Sequence, residues 1–194
     1  MKIGIDLDEV TINLMDPLLE YYRNKTGRNI SRGDIKDYAF WKYISQSKKQ
    51  ANQIINQFFS SEHFDNISPA KGAIEGIINA RKQHDLYIIT SRYGIAREKT
   101  PLWIERNLKN LISQVFYSSD HKGPGMTKAE ICKENNIEMI LEDDPKISIK
   151  CAEEKISVIL FKRPWNERVK HKYITPVYSW SEALKEIKNL SQNT

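Results

Sequence analysis

Long apolar runs are missing from this 194-residue chain, and its mean hydropathy is −0.59. That excludes a membrane-spanning helix, which needs about 20 consecutive apolar residues. Cysteine is scarce too: Cys132 and Cys151 are the only two, too few for a disulfide framework and not in a metal-binding spacing. The four histidines, His63, His84, His121 and His171, do not fall in the spacing of a zinc site. The N-terminal stretch MKIGIDLDEV has neither a long apolar core nor a small-residue cleavage site, so no secretory signal is expected. A reducing cytoplasm is the expected location. Internal repeats and low-complexity tracts are absent as well.

The rest of the composition is ordinary for a globular chain, with 40% hydrophobic and 28% charged residues. A chain of this length buries roughly 70% of its unfolded surface, so it folds as one domain, or one domain with a modest insertion, without a staple. The formal net charge of +5 is compatible with an anionic substrate, with nucleic acid, or with lysines scattered over a solvated surface.

Short β-rich runs recur along the chain: KIGIDL at 2–7, LYIIT at 86–90, VFYSS at 115–119, EMIL at 138–141 and SVILF at 157–161. Helical patterns separate them. Pro69 opens AKGAIEGIINARKQ at a first-turn position, and Pro101 places a helix start near Thr100. Thr127 and Glu130 form a capping box for KAEICKEN, Pro145 starts a helix through Glu154, and SEALKEIKNL closes the chain. Strands alternating with helices predict an α/β fold: a Rossmann-like three-layer sandwich around a parallel sheet. Residues 15–67 break the alternation, with helical patterning in LLEYYRN and KKQANQIINQFF. They read as a small helical cap inserted after the first strand, leaving 1–14 and 68–194 as the catalytic core.

Ligand sites of open α/β sheets lie at the carboxyl ends of the strands. The first strand delivers Asp6 and Asp8 there, the second Thr90 and Ser91, and the fourth Glu142, Asp143 and Asp144, while Lys128 opens the preceding helix. Any one of these could merely cap a turn. Their ordered arrival at successive strand exits is the informative feature.

In IGIDLDEVT, IITSR, the lysine of MTKAEICKENNI and LEDDP, the chain resembles the four ordered motifs of haloacid dehalogenase (HAD) superfamily phosphatases, over about residues 2–162. The insertion and the SPAKGAIEGI segment resemble the 5′(3′)-deoxyribonucleotidase, or 5′-nucleotidase type C, family. LFKRPWN is similar to a stretch near the end of bacterial nucleotidase-like proteins. The resemblance implies an Mg²⁺-dependent phosphomonoester hydrolase, with a (deoxy)nucleoside monophosphate as substrate. In that scheme Asp6 is nucleophile and metal ligand, Asp8 is general acid and base with its backbone carbonyl on the metal, and Asp143 completes the metal site. Thr90 and Lys128 bind the phosphoryl group, with Ser91 and Arg92 beside it. Other outcomes are a phosphatase for another small metabolite, one for a polynucleotide end, or a non-catalytic nucleic-acid-binding protein. A nucleic-acid partner and a membrane are not expected, and a homodimer is compatible with the sequence.

Several positions stay open on sequence alone. Glu142 either approaches the metal through water or orients Asp143's neighbours, and Asp144 is a further candidate. Arg92 either reaches a substrate anion or lies on the surface. The family commonly has glycine after the second aspartate, where this chain has Glu9, a residue that tolerates positive φ poorly. Among the insertion's aromatics Tyr38, Phe40, Trp41, Tyr43, Phe58, Phe59 and Phe64, each either packs a cap core or stacks on substrate. Trp41 and Phe64, in loop-like surroundings, are the expected substrate-selecting pair. The basic run 162–172 reads as a solvated loop, and residues 121–125 as a mobile loop beside the site entrance, without assigned chemistry.

Overall fold

The computed structural model describes residues 1–121 and 124–192, so part of the expected 121–125 loop (residues 122 and 123) lies outside the described residues. Six strands form one sheet in the order β3-β2-β1-β4-β5-β6: β1 (Lys2–Ile5), β2 (Asp85–Thr90), β3 (Gln114–Tyr117), β4 (Met139–Glu142), β5 (Ser157–Phe161) and β6 (Ile174–Val177). Every pairing is parallel. Five of the strands follow the predicted apolar runs, with ends shifted by a few residues. The edge strand β6 carries Pro176 and only four residues, which is why no apolar run announces it.

The pleat divides the core into two layers. Ile3, Ile5, Leu86, Ile88, Met139, Leu141, Ile159 and Phe161 face one side with α5 (Ala73–Arg81), α6 (Gly94–Asn107) and α9 (Trp180–Ser191). Ile89, Ile140, Val158 and Leu160 face the other, with α7 (Lys128–Glu134) and α8 (Pro145–Glu153). This is the expected three-layer sandwich. Side chains two apart share a face, so Asp6 follows Gly4, and Glu142 follows Ile140, onto the α7 side. Both carboxylates therefore leave adjacent parallel strands toward Lys128.

Between β1 and β2 lie α1 (Met15–Thr26), a 3₁₀ turn (Arg32–Asp34), α2 (Trp41–Ile44), α3 (Lys48–Phe59) and α4 (Glu62–Asp65). The segment leaves and re-enters through a narrow stem. Ile12 bridges Pro69 in antiparallel sense, and the N–H of Ala70 donates to the Thr11 carbonyl at 2.8 Å. Leu18, Phe58, Phe64 and Ile67 join the same apolar cluster as β1 and α5.

Two helix starts differ from expectation. Pro69 belongs to the stem, and α5 begins at Ala73 after Gly72, whose φ of 77° suits a residue without Cβ. Helix α6 begins at Gly94 and runs through Pro101. Pro101 is exposed, so the carbonyl that loses its donor lies on the solvent side. Here tertiary packing of Ala96 and Trp103 outweighs the local cost of proline.

The Trp180 ring lies directly on Gly76 of α5, leaving no room for a Cβ there, while its Nε1 donates to the Val10 carbonyl at 2.9 Å. Gly76→Ala is expected to destabilise the protein by about 1–3 kcal/mol, because overpacking outweighs a helix-propensity gain of about 1 kcal/mol. A thermal melt should fall by roughly 2–12 °C, and an unchanged or higher midpoint would contradict this packing.

Candidate active site

Asp6 stands immediately beyond β1. Its N–H donates to the Leu141 carbonyl at 3.0 Å, continuing the ladder for one residue, and its carbonyl accepts from Thr11 Oγ1 at 2.7 Å. The chain then turns sharply, with Thr11 and Ile12 N–H both donating to the Leu7 carbonyl at 2.9 and 2.7 Å. Asp8 therefore lies on a loop beyond the strand. Glu9 adopts φ 63°, so the tight turn forms in spite of the side chain that argues against it.

Lys128 opens α7 behind the predicted capping box of Thr127 and Glu130. Its Nζ reaches Asp6 Oδ1 at 2.5 Å and Glu142 Oε1 at 2.6 Å. All three residues are buried. The other Glu142 oxygen accepts the N–H groups of Asp143 and Asp144 at 2.6 and 2.8 Å. Glu142 thus orients Lys128 and the turn that carries Asp143. Asp120, which sequence reasoning overlooked, accepts the Lys128 N–H at 2.8 Å.

Asp6, Glu142 and Asp143 each present a carboxylate oxygen within 4.8 Å of one another. Burial pushes the Asp6 carboxyl up to about 7; Lys128 opposes the rise, and Glu142 and Asp8 add to it. Burial, then Glu142 and Asp6, hold Asp143 well above the usual carboxylate range. For Lys128, burial works against the charge but is outweighed by Asp6 and Glu142, and its ammonium is held firmly protonated. With the carboxylates ionised, the one ammonium that meets this buried cluster among the described residues leaves it short of two positive charges. Hard oxygen donors and that deficit fit a hard divalent cation.

Arg92 grips Asp8 in a fork, with Nη2 to Oδ1 at 2.6 Å and Nε to Oδ2 at 3.0 Å. Arg92 is no surface residue: its side chain is 3% exposed. Nη1 donates to Thr100 Oγ1 at 3.2 Å, and the guanidinium lies 5.0 Å from the Phe64 ring centre. Thr90 is buried beside it, its hydroxyl accepting the Arg92 N–H at 3.3 Å. Ser91 pairs its hydroxyl with that of Ser118 at 2.8 Å.

Phe64 therefore sits in α4, buried against Phe58 and Phe59, and its ring supports Arg92. Trp41 opens α2 and packs beside Tyr22, Ile44 and Ala51. The insertion aromatic that the fold brings to the carboxylates is Tyr38. Burial, then the charges of Asp143 and Asp144, push its phenol above the usual value. Its ring stacks on His121 at 5.6 Å, and His121 Nε2 lies 3.3 Å from Asp144 Oδ2. The hydrogen bond to Asp144, partly opposed by burial, raises the His121 imidazole. Asp144 is the N-cap of α8, its Oδ1 accepting from Lys146 and Ile147 N–H at 2.7 and 3.2 Å.

The run 162–172 is not simply a solvated loop. Trp165 Nε1 donates to Asp143 Oδ2 at 2.9 Å, and Asn166 Nδ2 donates to the carbonyls of Asp143 and Phe161, each at 2.8 Å. Basic neighbours disguise these two buried residues. The available signal was the aromatic and amide within LFKRPWN, a similarity without an assigned role.

The parallel sheet gathers Asp6, Lys128, Glu142 and Asp143 at its carboxyl edge, the arrangement that the resemblance to HAD-superfamily phosphatases implies. The chain belongs, over residues 1–192, to the NT5C family, described as 5′ nucleotidase, deoxy (Pyrimidine), cytosolic type C, and is thus an enzyme of the phosphatase/nucleotidase class. It is 26% identical over 190 residues to the "Putative nucleotidase YqfW" of Bacillus subtilis, covering 97% of this chain and 94% of that protein. A Bacillus cereus protein of the same description is 22% identical over 187 residues, covering 94% of this chain and 95% of its own. Among solved structures, a haloacid dehalogenase-like hydrolase from Streptococcus pneumoniae superposes with a TM-score of 0.68 at 15% identity, covering 96% of this chain and 97% of its own. The HAD hydrolase YfnB of Bacillus subtilis, solved bound to magnesium, superposes at 0.62 with 10% identity, covering 96% and 97%.

Proposed function

We propose that this enzyme is an Mg²⁺-dependent 5′-nucleotidase that hydrolyses (deoxy)nucleoside monophosphates through an aspartyl-phosphate on Asp6. The observation that carries the reading is the buried group of Asp6, Glu142 and Asp143 around the ammonium of Lys128. We assign 1–14 and 68–194 to the catalytic core and 15–67 to a cap, a division supported by the narrow stem at Ile12 and Pro69.

Asp6, Asp143 and the Asp8 carbonyl would hold the ion. Magnesium supplies charge screening, without which a phosphate dianion repels a carboxylate nucleophile. An Asp6 carboxyl pushed up to about 7 by burial needs added positive charge beside it to stay ionised and attack. Asp6 Oδ attacks phosphorus, and the bond to the nucleoside oxygen breaks as Asp8 gives that oxygen a proton. Water, deprotonated by Asp8, then attacks phosphorus and frees Asp6. Asp8 can do this only when Arg92 loosens its grip, and the arriving phosphoryl oxygens compete for that guanidinium. Lys128 and Arg92 balance the phosphoryl charge, and Thr90 and Ser91 hydrogen-bond the phosphoryl oxygens.

Phosphate release from a panel of nucleoside monophosphates and sugar phosphates, with Mg²⁺ or with chelator, tests the reading. Metal-dependent turnover concentrated on nucleotides is expected. Turnover confined to sugar phosphates would reassign the substrate, and turnover unaffected by the chelator would remove the metal.

Trp165→Phe keeps the ring and loses the N–H that fixes Asp143. It is expected to weaken Mg²⁺ binding about 10–100-fold, the usual effect of removing a partner that orients a metal ligand. A calorimetric titration of Mg²⁺ into the protein reads this directly, and wild-type affinity would contradict it.

A further inference from the structure

Glu9 combines three properties that rarely coincide. It follows Asp8 directly, it is 4% exposed, and its φ of 63° lies in the left-handed region, which costs any residue with a Cβ. Glycine would remove that cost. What glycine would forfeit is visible in the carboxylate's partners. One oxygen accepts the N–H groups of Leu14 and Met15 at 3.0 and 2.7 Å, at the start of α1. The other faces Arg32 Nη1 at 2.8 Å and Arg163 Nε at 3.4 Å.

Those partners belong to separate parts of the fold. Arg32 lies in the 3₁₀ turn of the insertion and also binds Asn13 Oδ1 at 2.6 Å and Asp16 Oδ1 at 3.0 Å. Arg163 follows β5, donates Nη2 to the Glu9 carbonyl, and starts the loop whose Trp165 and Asn166 hold Asp143. A single buried carboxylate thus ties the Asp6–Asp8 loop to the inserted helices and to the loop behind Asp143.

We propose that Glu9 is a positioning residue, a clasp that fixes the inserted helices and the 163–166 loop relative to Asp8, so that the substrate-binding geometry exists before substrate arrives. The proposal rests on the phosphatase reading above. Asp6, Lys128 and Glu142 are held by their own bonds and do not depend on Glu9. Loss of the clasp therefore falls on substrate binding.

The test compares wild type with Glu9→Gly, Glu9→Gln and Arg163→Met. Each is read by thermal melt, amide hydrogen exchange, and KM and kcat for the best substrate in the panel. Glu9→Gly is relieved of backbone strain but leaves Arg32, Arg163 and the Leu14 and Met15 N–H groups without their acceptor, so it is expected to fold with a midpoint lowered by several degrees. Its exchange in residues 14–34 and 162–167 should be at least about tenfold faster, a local opening that leaves α9 unchanged. At saturating Mg²⁺, which offsets any loosening of Asp143 by the freed 163–166 loop, KM should rise at least about tenfold, with kcat kept within about threefold, since binding geometry rather than the reacting groups is disturbed. Glu9→Gln, which keeps an acceptor for Leu14 and Met15 but loses the charge, should fall between. Wild-type kinetics and exchange in Glu9→Gly would overturn the proposal, as would a lowered midpoint with KM and local exchange unchanged. If Glu9→Gly does not fold, Glu9→Gln and Arg163→Met decide by the same readings. A wild type that releases no phosphate from any monoester, with the exchange pattern as expected, would sink the phosphatase reading and leave the clasp standing.

Discussion

Asp6→Asn is expected to abolish turnover, lowering kcat by at least about 10⁴-fold, the scale on which loss of a nucleophile falls. Asparagine keeps the shape of the side chain and can still meet Lys128, but its amide cannot form the phosphoenzyme. The fold should survive, because the substitution removes one negative charge from a buried cluster that carries an excess of them. Burial, strengthened by Glu142 and Asp8, already pushes that carboxyl up to about 7, so the neutral amide is better tolerated there than most replacements. A steady-state assay beside a thermal melt separates the two effects. Activity within tenfold of wild type, in a variant melting near wild type, would remove Asp6 from the chemistry.

Lys128→Met should damage both activity and stability. Its ammonium lies 2.5 Å from Asp6 and 2.6 Å from Glu142, with the side chain 2% exposed. Methionine preserves the stem and leaves three buried carboxylates facing one another unpaired. Breaking a buried ion pair from one side costs about 3–5 kcal/mol, which for a chain of this size lowers the melting midpoint by roughly 6–20 °C. Millimolar Mg²⁺ should restore part of that loss, since a divalent cation offsets the same repulsion, and the recovery should be larger than in wild type. A midpoint within a few degrees of wild type would show that the carboxylates are not crowded as the structure has them.

The sheet was legible wherever a strand is an uninterrupted apolar run, and the carboxylates were legible because parallel strands deliver them to one edge. Lys128 could be placed through the capping box that starts its helix. Strand β6 escaped because proline interrupts it at the sheet's edge, and the start of α6 was misplaced because a local proline rule lost to packing. The larger gap concerns second partners. That Arg92 turns inward to Asp8, 84 residues away, and that Arg163 meets Glu9 across 154 residues, are facts of tertiary closure that no local pattern encodes. Trp165 and Asn166 were hidden by their basic neighbours, and Tyr38 by the abundance of aromatics around it. Phe64, with no long helical pattern around it in the sequence, lies in four residues of helix and is buried by two neighbouring phenylalanines.

The central claim is that a phosphoryl group passes through Asp6. The most direct measurement is a rapid acid quench during turnover of the best nucleoside monophosphate with Mg²⁺, followed by peptide mass spectrometry of wild type and Asp6→Asn. One phosphoryl group on the wild-type peptide containing IGIDLDEV, localised to Asp6 and absent from Asp6→Asn and from samples quenched with chelator present, is the predicted result. Undiminished phosphate release by Asp6→Asn, or a phosphoryl group trapped on any other residue, would contradict it.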